Sequence, residues 1–444
     1  MNESAEKKDP FDLKISQLSD EDIRRALQVF HDKLDFGAAA FMNSCVHCGL
    51  CADSCHYYLA TKEIESLPAY KLNLLLSVFK KYFTLVGRTA PGLNGAKALD
   101  RKLIGEWIDT LFGRCTMCGR CTLNCSVGID IARVIRIGRS ALASIGLVPP
   151  ELQSTVNAAV EKGNNMGIPT EEWVETVKWL EEELQREVSD PEARLPMDKK
   201  NVNFLYTVNP REPKFFPLSL LAAAKIFYAA RESWTVARDH YDVTNYGLFS
   251  GDDEAARLIS SRLVQSMKEL EIKTLILGEC GHGFKSHRWE APEWLAAAYR
   301  FEVKSIIQVL ADYIRQGRIK LDSTRQQKAV TLHDPCNLVR MGGIIEEQRY
   351  ILKNTVANFV EMHPNREKNF CCGGGGGQLS MTRYASRRLK AGQVKADQIR
   401  KTGARIVVAP CHNCIDQLSE LNKEYKLGVE IKTVAEIVAD ALVL

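Results

Sequence analysis

Apolar positions follow two different periods along this chain. In the second half, short apolar runs alternate with segments whose apolar residues recur every three to four positions. The runs predict buried strands and the segments predict amphipathic helices, an alternation typical of α/β units with parallel strands. The predicted strands are 202–208, 273–278, 329–334 and 405–410, and the predicted helices are 217–231, 252–270, 286–300, 304–316 and 380–400.

The first third shows only the helical period. Ser19 is a predicted helix cap, and Ile23, Leu27 and Phe30 follow it on one face of the helix. The prolines at 149–150 end this region because proline disfavours continued helix. The charged residues after them, up to about residue 200, predict a helical connector.

No apolar run reaches the roughly 18 residues that a membrane-spanning helix needs. The nearest, 215–230, is interrupted by Pro217 and Lys225. That run and 72–86, which contains Lys80 and Lys81, are either core helices, the commoner fate of such stripes, or surfaces that pack against a membrane-bound partner.

Composition narrows the function classes. Of 444 residues, 45% are hydrophobic and 26% charged, an ordinary balance for a globular chain. The 59 basic and 55 acidic residues give a net charge of only +4, which signals no nucleic-acid partner. The polar start lacks the apolar stretch of an export signal, so the 14 cysteines indicate metal or redox sites in a reducing compartment rather than disulfides.

Cysteines recur twice in the pattern Cys-x2-Cys-x2-Cys-x3-Cys. In such motifs three closely spaced thiolates bind one cubane and the fourth faces the neighbouring cubane. The sequence therefore predicts two cubane [4Fe-4S] clusters, since zinc knuckles more often use separated Cys-x2-Cys pairs. The predicted ligands are Cys45, Cys48, Cys51 and Cys125 for the first cubane, and Cys55, Cys115, Cys118 and Cys121 for the second.

The two motifs depart from those of bacterial ferredoxins. His56 and Ser126 stand where bacterial ferredoxins have proline, and 59 residues (56–114) of helical pattern separate the motifs. The arrangement resembles the α-helical ferredoxin domain of fumarate reductase iron-sulfur subunits and of heterodisulfide reductases. The resemblance implies a relay for single electrons.

Five further cysteines lie between His333 and Cys414, in the segments LHDPC, FCCGGGGGQ and VVAPCHNC. A tetrahedral zinc site would leave the fifth thiol unexplained, so a cluster of several iron atoms suits the set better. No Gly-Lys-Ser/Thr follows the glycine run 373–377, which argues against a phosphate loop. Residues without side chains instead let the backbone fold closely around a bulky cluster.

The second half also aligns with itself as two copies of one module. The strand at 202–208 matches that at 329–334, and the strand at 273–278 matches that at 405–410. Only the second copy keeps its thiols, so we name residues 201–328 the vacated half and residues 329–444 the intact half. The alignment sets Arg211 opposite Cys336, Tyr246 opposite Cys372, Cys280 opposite Cys411 and Gly283 opposite Cys414.

The five-cysteine pattern resembles the CCG domain of heterodisulfide reductases. The resemblance implies a noncubane [4Fe-4S] cluster that acts on disulfides. The chain as a whole resembles the D subunit of those reductases, but most relatives, including the methanogen reductase, have both CCG modules intact, and this chain departs from them. One degenerate copy after a two-cubane domain is most similar to catalytic iron-sulfur subunits of membrane complexes in sulfate reducers, namely the K subunit of the Dsr complex or the B subunit of the Tmc complex. The ligands implied by the resemblance are Cys336, Cys371, Cys372, Cys411 and Cys414.

The predicted fold is a multidomain α+β chain. An α-helical two-cluster ferredoxin domain (1–148) and a helical connector (149–200) precede a pseudo-duplicated α/β module with parallel strands. That module consists of a degenerate CCG-like half (201–328) and an intact CCG half (329–444).

The resemblance implies that electrons pass from a quinol-oxidising cytochrome b-type membrane subunit, which draws on menaquinol, through the cubanes to the noncubane cluster. The substrate would be a disulfide or trisulfide on the small sulfur-carrier protein of dissimilatory sulfite reduction. The chain would be cytoplasmic, attached to the inner face of the cell membrane through other subunits of the complex. Two other functions stay open: electron transfer for a flavin-dependent glycolate, lactate or glycerol-3-phosphate dehydrogenase, and a scaffold with structural metal.

Four residues near the predicted noncubane cluster are candidates for a direct part in catalysis. Cys280 is either a substrate-facing thiol that forms a mixed disulfide or an inert buried cysteine. His282, His333 and His412 are candidate proton donors to leaving thiolates, with an ordinary structural role as the alternative.

Overall fold

The computed structural model of the chain describes residues 10–444, so the polar residues 1–9 lie outside the described range. The helices are α1 Pro10–Ser16, α2 Asp20–Asp32, α3 Phe36–Asn43, α4 His56–Thr61, α5 Pro68–Phe83, α6 Leu85–Thr89, α7 Arg101–Trp107, α8 Arg120–Leu123, α9 Ile131–Ser144, α10 Pro150–Lys162, α11 Thr170–Val188, α12 Arg211–Phe215, α13 Pro217–Ala229, α14 Gly247–Ser250, α15 Asp253–Glu269, α16 Gly281–Phe284, α17 Ala291–Leu295, α18 Ile306–Arg315, α19 Glu347–Thr355, α20 Ala385–Thr402, α21 His412–Glu424 and α22 Val434–Ala441. The strands are β1 Phe204–Thr207, β2 Trp234–Thr235, β3 Thr274–Leu277, β4 Glu302–Ser305, β5 Lys320–Leu321, β6 Val330–Leu332, β7 Phe359–Val360, β8 Ile406–Val408, β9 Glu430–Lys432 and β10 Leu442–Val443.

The described residues form two units. The first holds the chain up to Ser154 together with Phe249–Asp253 and Gly376–Ala391, and the second holds the rest. The four-part division predicted from the sequence stays a prediction.

The first unit is helical, and its cysteine motifs lie between the longer helices, mostly in loops, with Cys121 in the short helix α8. α2 begins at the predicted cap, where the Ser19 and Asp22 side chains each accept a hydrogen bond from the other's backbone amide. α2 and α5 both pack on α9, and the rings of Phe30 and Trp107 meet in the core with centroids 5.5 Å apart. The first motif lies between α3 and α4, and the second between α7 and α9, so rigid helices flank both loops.

Each half of the second unit builds a four-stranded parallel sheet with the same strand order. The order is β2-β1-β3-β4 in the vacated half and β7-β6-β8-β9 in the intact half. Leu205 pairs with Leu275 in the first sheet, and Val330 pairs with Ile406 in the second. The two halves therefore share topology, as expected for a duplicated module.

The strand registers also agree with the internal alignment. Arg211 and Cys336 each come six positions after the paired residue of the first central strand, Leu205 or Val330. Cys280 and Cys411 each come five positions after the paired residue of the next strand. Equivalent loops therefore leave the carboxyl ends of equivalent strands, where ligands collect in parallel sheets.

Helices pair the two halves in an approximately two-fold manner. α13 of the vacated half packs on α22 of the intact half, and α19 of the intact half packs on α18 of the vacated half. In both pairs, a helix that follows a first central strand meets a helix that follows an edge strand. β5 and β10 extend the relation by pairing antiparallel. One hydrophobic core runs through both sheets, and it also includes Trp173, Val177 and Leu180 of α11.

The four predicted strands are the central pair of each sheet, and the edge strands were missed. β2 and β7 are only two residues long, and β4 and β9 expose residues on their outer side. A short edge strand has no continuous apolar run, so its sequence resembles a loop.

The predicted helix at 286–300 is wrong as a continuous element. Residues Lys285–Glu290 form a wide π turn, α17 covers only Ala291–Leu295, and a 3-10 turn follows at Ala296–Ala298. Pro292 in the first turn of α17 cannot donate a backbone hydrogen bond to the preceding turn, which separates the two segments.

Among residues 10–444, no helix combines the length and apolar character that crossing a bilayer requires.

Candidate metal centres

Two cavities of similar size in the first unit are each lined by four cysteines. Each takes three thiols from one motif and one from the other, which is the division predicted from the spacing. The residues present therefore fit two cubane clusters, while their roles as ligands stay a prediction. The cavity of about 410 Å³ is lined by Cys45, Cys48, Cys51 and Cys125, and that of about 390 Å³ by Cys55, Cys115, Cys118 and Cys121.

The two motif loops follow the same unusual backbone path. His47 and Met117, at the same position of each motif, have φ of 53° and 54°, and Gly49 and Gly119 also have positive φ. A left-handed residue other than glycine costs on the order of 1 kcal/mol or more and persists only where its surroundings require it. The same backbone strain at the third position of both motifs indicates that both loops are shaped to bind a group.

The two cavities differ in charge and exposure. Lys71 is buried at the second cavity, where its Nζ lies 3.7 Å from Cys55 Sγ, and Arg114 also lines that cavity. Among the described residues that line the first cavity there is no lysine or arginine, and its Cys48 is exposed. Positive charge favours reduction of a nearby cluster, so the two sites are not electrically equivalent.

Arg139 in the core of the first unit adds a further buried cation. Its guanidinium donates to the backbone carbonyls of Leu111, Cys115, Phe249 and Gly376. Burial lowers its pKa to about 10, which leaves it charged at neutral pH. Nothing in the sequence pattern indicated this role, because an arginine in an amphipathic helix usually lies on the solvent side.

The intact half brings four of its five cysteines together in a buried cluster. One ligand atom each of His333, Cys372 and Cys414 lies within 4.8 Å of the others, and the Sγ atoms of Cys372 and Cys414 are 3.4 Å apart. Cys371 and Cys411 are buried and hydrogen-bond with these thiols. Hydrogen bonding with Cys371 and Cys414 lowers the pKa of Cys372 well below its usual value.

Backbone amides point at several of these sulfur atoms. The N–H groups of Gly373 and Gly374 donate to Sγ of Cys371 and Cys372, both at 3.4 Å. Such donors stabilise a thiolate or a cluster ligand that carries negative charge. The first glycines of the run thus serve the thiols directly.

The last glycines of the run have a different role. In the first unit, a Cβ on Gly376 would lie 2.7 Å from the backbone of Thr116, and one on Gly377 would lie 2.9 Å from Leu152. Both residues also have positive φ. These two positions require glycine for close packing rather than for the approach to a cluster.

Cys336 stands apart from the other four cysteines. It follows β6 and remains partly exposed. Within residues 10–444, its sulfur forms no hydrogen bond with the other thiols. Of the five predicted ligands, it therefore has the most freedom to adjust when a group binds.

A buried lysine near these thiols was not predicted. Lys395 of α20 is fully buried, and its Nζ donates to Asn369 Oδ1 at 2.6 Å. Asn369 Nδ2 lies 3.3 Å from His333 Nδ1, so Asn369 connects the lysine to the histidine beside Cys372. Burial lowers the pKa of Lys395 to about 7, although the negative charge of Cys372 acts to raise it. In the sequence, Lys395 is one of several charged residues on a helix and looks solvated.

In the vacated half, side chains at positions equivalent to the thiols contact and support the intact half. Arg211 pairs with Asp416, the Tyr246 hydroxyl donates to Asn413 Oδ1 at 3.5 Å, and His282 hydrogen-bonds with Asn413. The Gly281 N–H also donates to Cys411 Sγ at 3.4 Å. These contacts fix the start of α21, the helix that carries Cys414.

Cys280 lies at the same junction and is 2% exposed. Its Sγ accepts a hydrogen bond from the Gly283 N–H at 3.4 Å and another from Asn209 Nδ2 at 3.6 Å. Burial, with the nearby Cys411 charge, raises the pKa of the Cys280 thiol. Both predicted roles of Cys280, a substrate-facing thiol and an inert cysteine, stay predictions.

The three candidate histidines are all buried, and all are neutral at neutral pH. Burial lowers the pKa of His282 to about 3, that of His412 to about 4, and that of His333 below its usual value. His412 Nδ1 lies 3.2 Å from the Glu279 carbonyl and 3.5 Å from Glu212 Oε1. The Nε2 atoms of His333 and His412 are buried without a hydrogen-bond partner among the described residues.

Several known proteins are similar in sequence to nearly the whole chain. The 4Fe-4S dicluster domain family matches residues 41–129, and the CCG cysteine-rich domain family matches residues 330–419. The "Hdr-like menaquinol oxidoreductase iron-sulfur subunit" of Archaeoglobus profundus is 29% identical over 464 residues, covering 94% of this chain and 83% of the relative. The D subunit of the dihydromethanophenazine:CoB--CoM heterodisulfide reductase of Methanosarcina barkeri is 26% identical over 410 residues, covering 90% and 94%. The chain is therefore similar to this D subunit over most of both lengths, and it carries both a dicluster match and a CCG match.

Another similar protein is the "EtfAB:quinone oxidoreductase" of Syntrophomonas wolfei, which is 22% identical over 428 residues, covering 90% of this chain and 58% of the relative. The family resemblance and the fold class predicted from the sequence are confirmed, as is the general expectation of iron-sulfur clusters. The CCG match contains all five cysteines of the intact half and excludes the vacated half.

Proposed function

We propose that this chain is the catalytic iron-sulfur subunit of a membrane-linked redox complex and that it reduces a disulfide or trisulfide. The observation that carries the proposal is the buried group of His333, Cys372 and Cys414, whose ligand atoms lie within 4.8 Å of one another. An electron relay alone would need only the two four-cysteine cavities, whereas this additional thiol set lies at the carboxyl ends of parallel strands.

The proposed cofactors are two cubane clusters and one noncubane [4Fe-4S] cluster. The two cavities with four cysteines each support the cubane assignments given above. For the noncubane cluster, the proposed ligands are Cys336, Cys371, Cys372, Cys411 and Cys414. When bound, that cluster would supply electrons singly to a sulfur-sulfur bond whose cleavage takes two.

The chain's own residues would hold charge and protons around that site. Lys395 is placed to balance the negative charge of the thiol set through Asn369 and His333. His333 is the best placed of the three candidate proton donors because it lies beside Cys372 and its Nε2 is unpartnered among the described residues. His282 and His412 are tied to Asn413 and Glu279, which suits positioning of α21 better than proton transfer.

The proposed electron donor is a quinol-oxidising cytochrome b-type membrane subunit, and the proposed acceptor is a small sulfur-carrier protein. The name of the Archaeoglobus relative, a menaquinol oxidoreductase subunit, supports the first. The chain would then lie at the inner face of the cell membrane, attached through partner subunits. The name of the Syntrophomonas relative favours a second candidate function, electron transfer to quinone without disulfide chemistry.

Electron paramagnetic resonance separates the two functions. The anaerobically reconstituted, oxidised protein is titrated with a thiol or with the sulfur-carrier protein, and Cys372→Ser serves as the comparison. We expect a new signal that depends on the added sulfur compound and is lost in the variant, together with loss of disulfide reduction driven by reduced methyl viologen. Absence of any such signal, with no disulfide reduction by the wild-type chain, would leave electron transfer alone as the function, and disulfide reduction unaffected in Cys372→Ser would show that the thiol set does not carry the reaction.

A further inference from the structure

The end of α5 and the residues after it have an unusual charge distribution. From Ser66 to Leu99 the chain contains five basic residues and no acidic one, and the first acids on either side are Glu65 and Asp100. Lys71 belongs to the second cavity. The four that remain are Lys80, Lys81, Arg88 and Lys97.

None of these four cations forms an ion pair with a carboxylate in the part of the chain that the structure describes. Lys80 and Arg88 are instead held by backbone carbonyls: Lys80 Nζ donates to Asn94 at 3.1 Å, and Arg88 Nε donates to Tyr82 at 2.8 Å. Arg88 and Lys97 are exposed. This surface therefore has positive charge with no compensating acid in its own sequence.

Exposed apolar side chains lie between these cations. Leu85 is 79% exposed, Leu93 is 84% exposed and Val86 is 47% exposed. By contrast, Leu72 and Leu75 in the body of α5 are fully buried. The sequence left open whether 72–86 was a core helix or a contact surface, and the structure separates the two: the body of α5 is core, and the segment that follows is surface.

The exposure is built into the fold. α6 folds back on the end of α5, and this is possible only because Gly87 has no side chain: a Cβ there would lie 1.9 Å from the Lys80 carbonyl oxygen. The Thr84 side chain caps α6 by accepting from the Gly87 N–H at 3.1 Å. α6 also packs on the short turn Pro91–Leu93. We name residues 80–97 the basic apolar surface.

We propose that the basic apolar surface binds directly to the anionic headgroup layer of a membrane. Its exposed leucines would enter the interfacial region, and its basic side chains would contact lipid phosphates. A lipid layer fits this surface better than a protein groove does. The surface carries single protruding apolar side chains among cations without an ion pair to the described residues, and a membrane offers acyl chains beneath a layer of anionic headgroups. This contact would deepen the membrane-linked function proposed above, and it rests on that function for its setting.

Vesicle sedimentation of the reconstituted full chain tests the proposal. We expect binding to mixed vesicles of phosphatidylcholine and phosphatidylglycerol, weaker binding at high salt, and little binding to pure phosphatidylcholine. Lys81→Gln with Lys97→Gln should weaken binding on the order of twenty-fold at low salt, since each basic residue near an anionic surface contributes about five-fold. Leu85→Asn with Leu93→Asn should weaken binding about ten-fold or more at any salt concentration.

A matched control uses two equally apolar residues of the second unit. Phe215 and Leu218 are 57% and 58% exposed and lie in the other stretch that the sequence offered as a contact surface. Phe215→Asn with Leu218→Asn should leave vesicle binding unchanged. The proposal is overturned if the wild-type chain binds neither vesicle, if the control pair weakens binding instead, or if binding appears only with membranes that contain a partner protein.

The outcome is independent of the proposed chemistry. The Leu85→Asn, Leu93→Asn chain should reduce a disulfide in solution as fast as the wild type when reduced methyl viologen is the donor. If the variant loses vesicle binding but still reduces the disulfide, the proposed membrane contact of the basic apolar surface is supported. If the wild type binds vesicles but reduces no disulfide, the proposed function is contradicted and the membrane contact is not.

Discussion

The intact and vacated halves share a sheet topology, but the vacated half keeps only Cys280, opposite Cys411, at the positions where the intact half has its thiols. Arg211 stands where the intact half has Cys336, and Tyr246 stands where it has Cys372. Their side chains contact Asp416 and Asn413, on the helix that starts between Cys411 and Cys414. The positions equivalent to two thiols of the intact half therefore carry side chains that support the thiol set of that half.

Cys280 and Cys411 provide the largest test of this difference because they occupy the same register in the two sheets. We expect Cys411→Ser to lose the noncubane signal, a matching share of iron and acid-labile sulfide, and disulfide reduction. Cys280→Ser should keep its iron and its signals. Equal iron loss in both variants would show that Cys280 is a ligand and that the two halves still share one cluster.

Lys395 marks a second difference between the halves. α15 of the vacated half is the counterpart of α20, since each helix precedes the second central strand of its sheet. At the position in α15 that corresponds to Lys395, the vacated half buries Leu263 and Val264 instead of a lysine. Removing a positive charge near the thiol set should make its reduction harder, so we expect Lys395→Met to lower the midpoint potential of the noncubane cluster by on the order of tens of millivolts.

Redox titration followed by electron paramagnetic resonance measures this change. Lys401→Met, an exposed lysine near the end of the same helix, is the control and should leave the potential unchanged. A potential that stays the same in both variants would reduce Lys395 to a packing role.

Glu212 affects stability rather than the clusters, and its effect appears as a pH dependence. It occupies the register of Asn337, and burial raises its pKa to about 8 from an ordinary value of 4.5. Between pH 4.5 and about 8 the folded chain keeps a proton on Glu212 that the unfolded chain has lost. The contribution of this proton to the free energy of unfolding is therefore full below about pH 4.5 and disappears as the pH rises towards 8.

Glu212→Gln removes this contribution. The stability of the variant relative to the wild type should rise with pH across this window, with a slope approaching roughly 1.4 kcal/mol per pH unit for one proton. Urea unfolding at a series of pH values measures the slope, and the exposed Glu254→Gln should show none. A flat difference for Glu212→Gln would mean that the folded chain holds Glu212 as a carboxylate.

The parts of this molecule that depend on local chemistry were predictable from the sequence. The central strands β1, β3, β6 and β8 are continuous apolar runs, and the cysteine spacing predicted which thiols share a cavity. Both signals lie within a few neighbouring residues, so no tertiary information is needed to read them.

The missed features depend on residues far apart in the chain. Lys395 and Arg139 lie on helices with several other charges, and their burial arises from what packs over them. The edge strands are defined by their neighbours rather than by their own two to four residues. The supports in the vacated half could be named from the alignment, but their partners Asn413 and Asp416 could not.

Arg139 also constrains the order in which the chain can be completed. Its guanidinium needs the carbonyl groups of Phe249 and Gly376, which are synthesised long after the cysteines of the second motif. In a nascent chain that ends before Gly376, water would have to take the place of these two acceptors, because an unsatisfied charged donor is costly. The packing around Arg139, and with it the helical unit, is therefore completed only after Gly376 has been added.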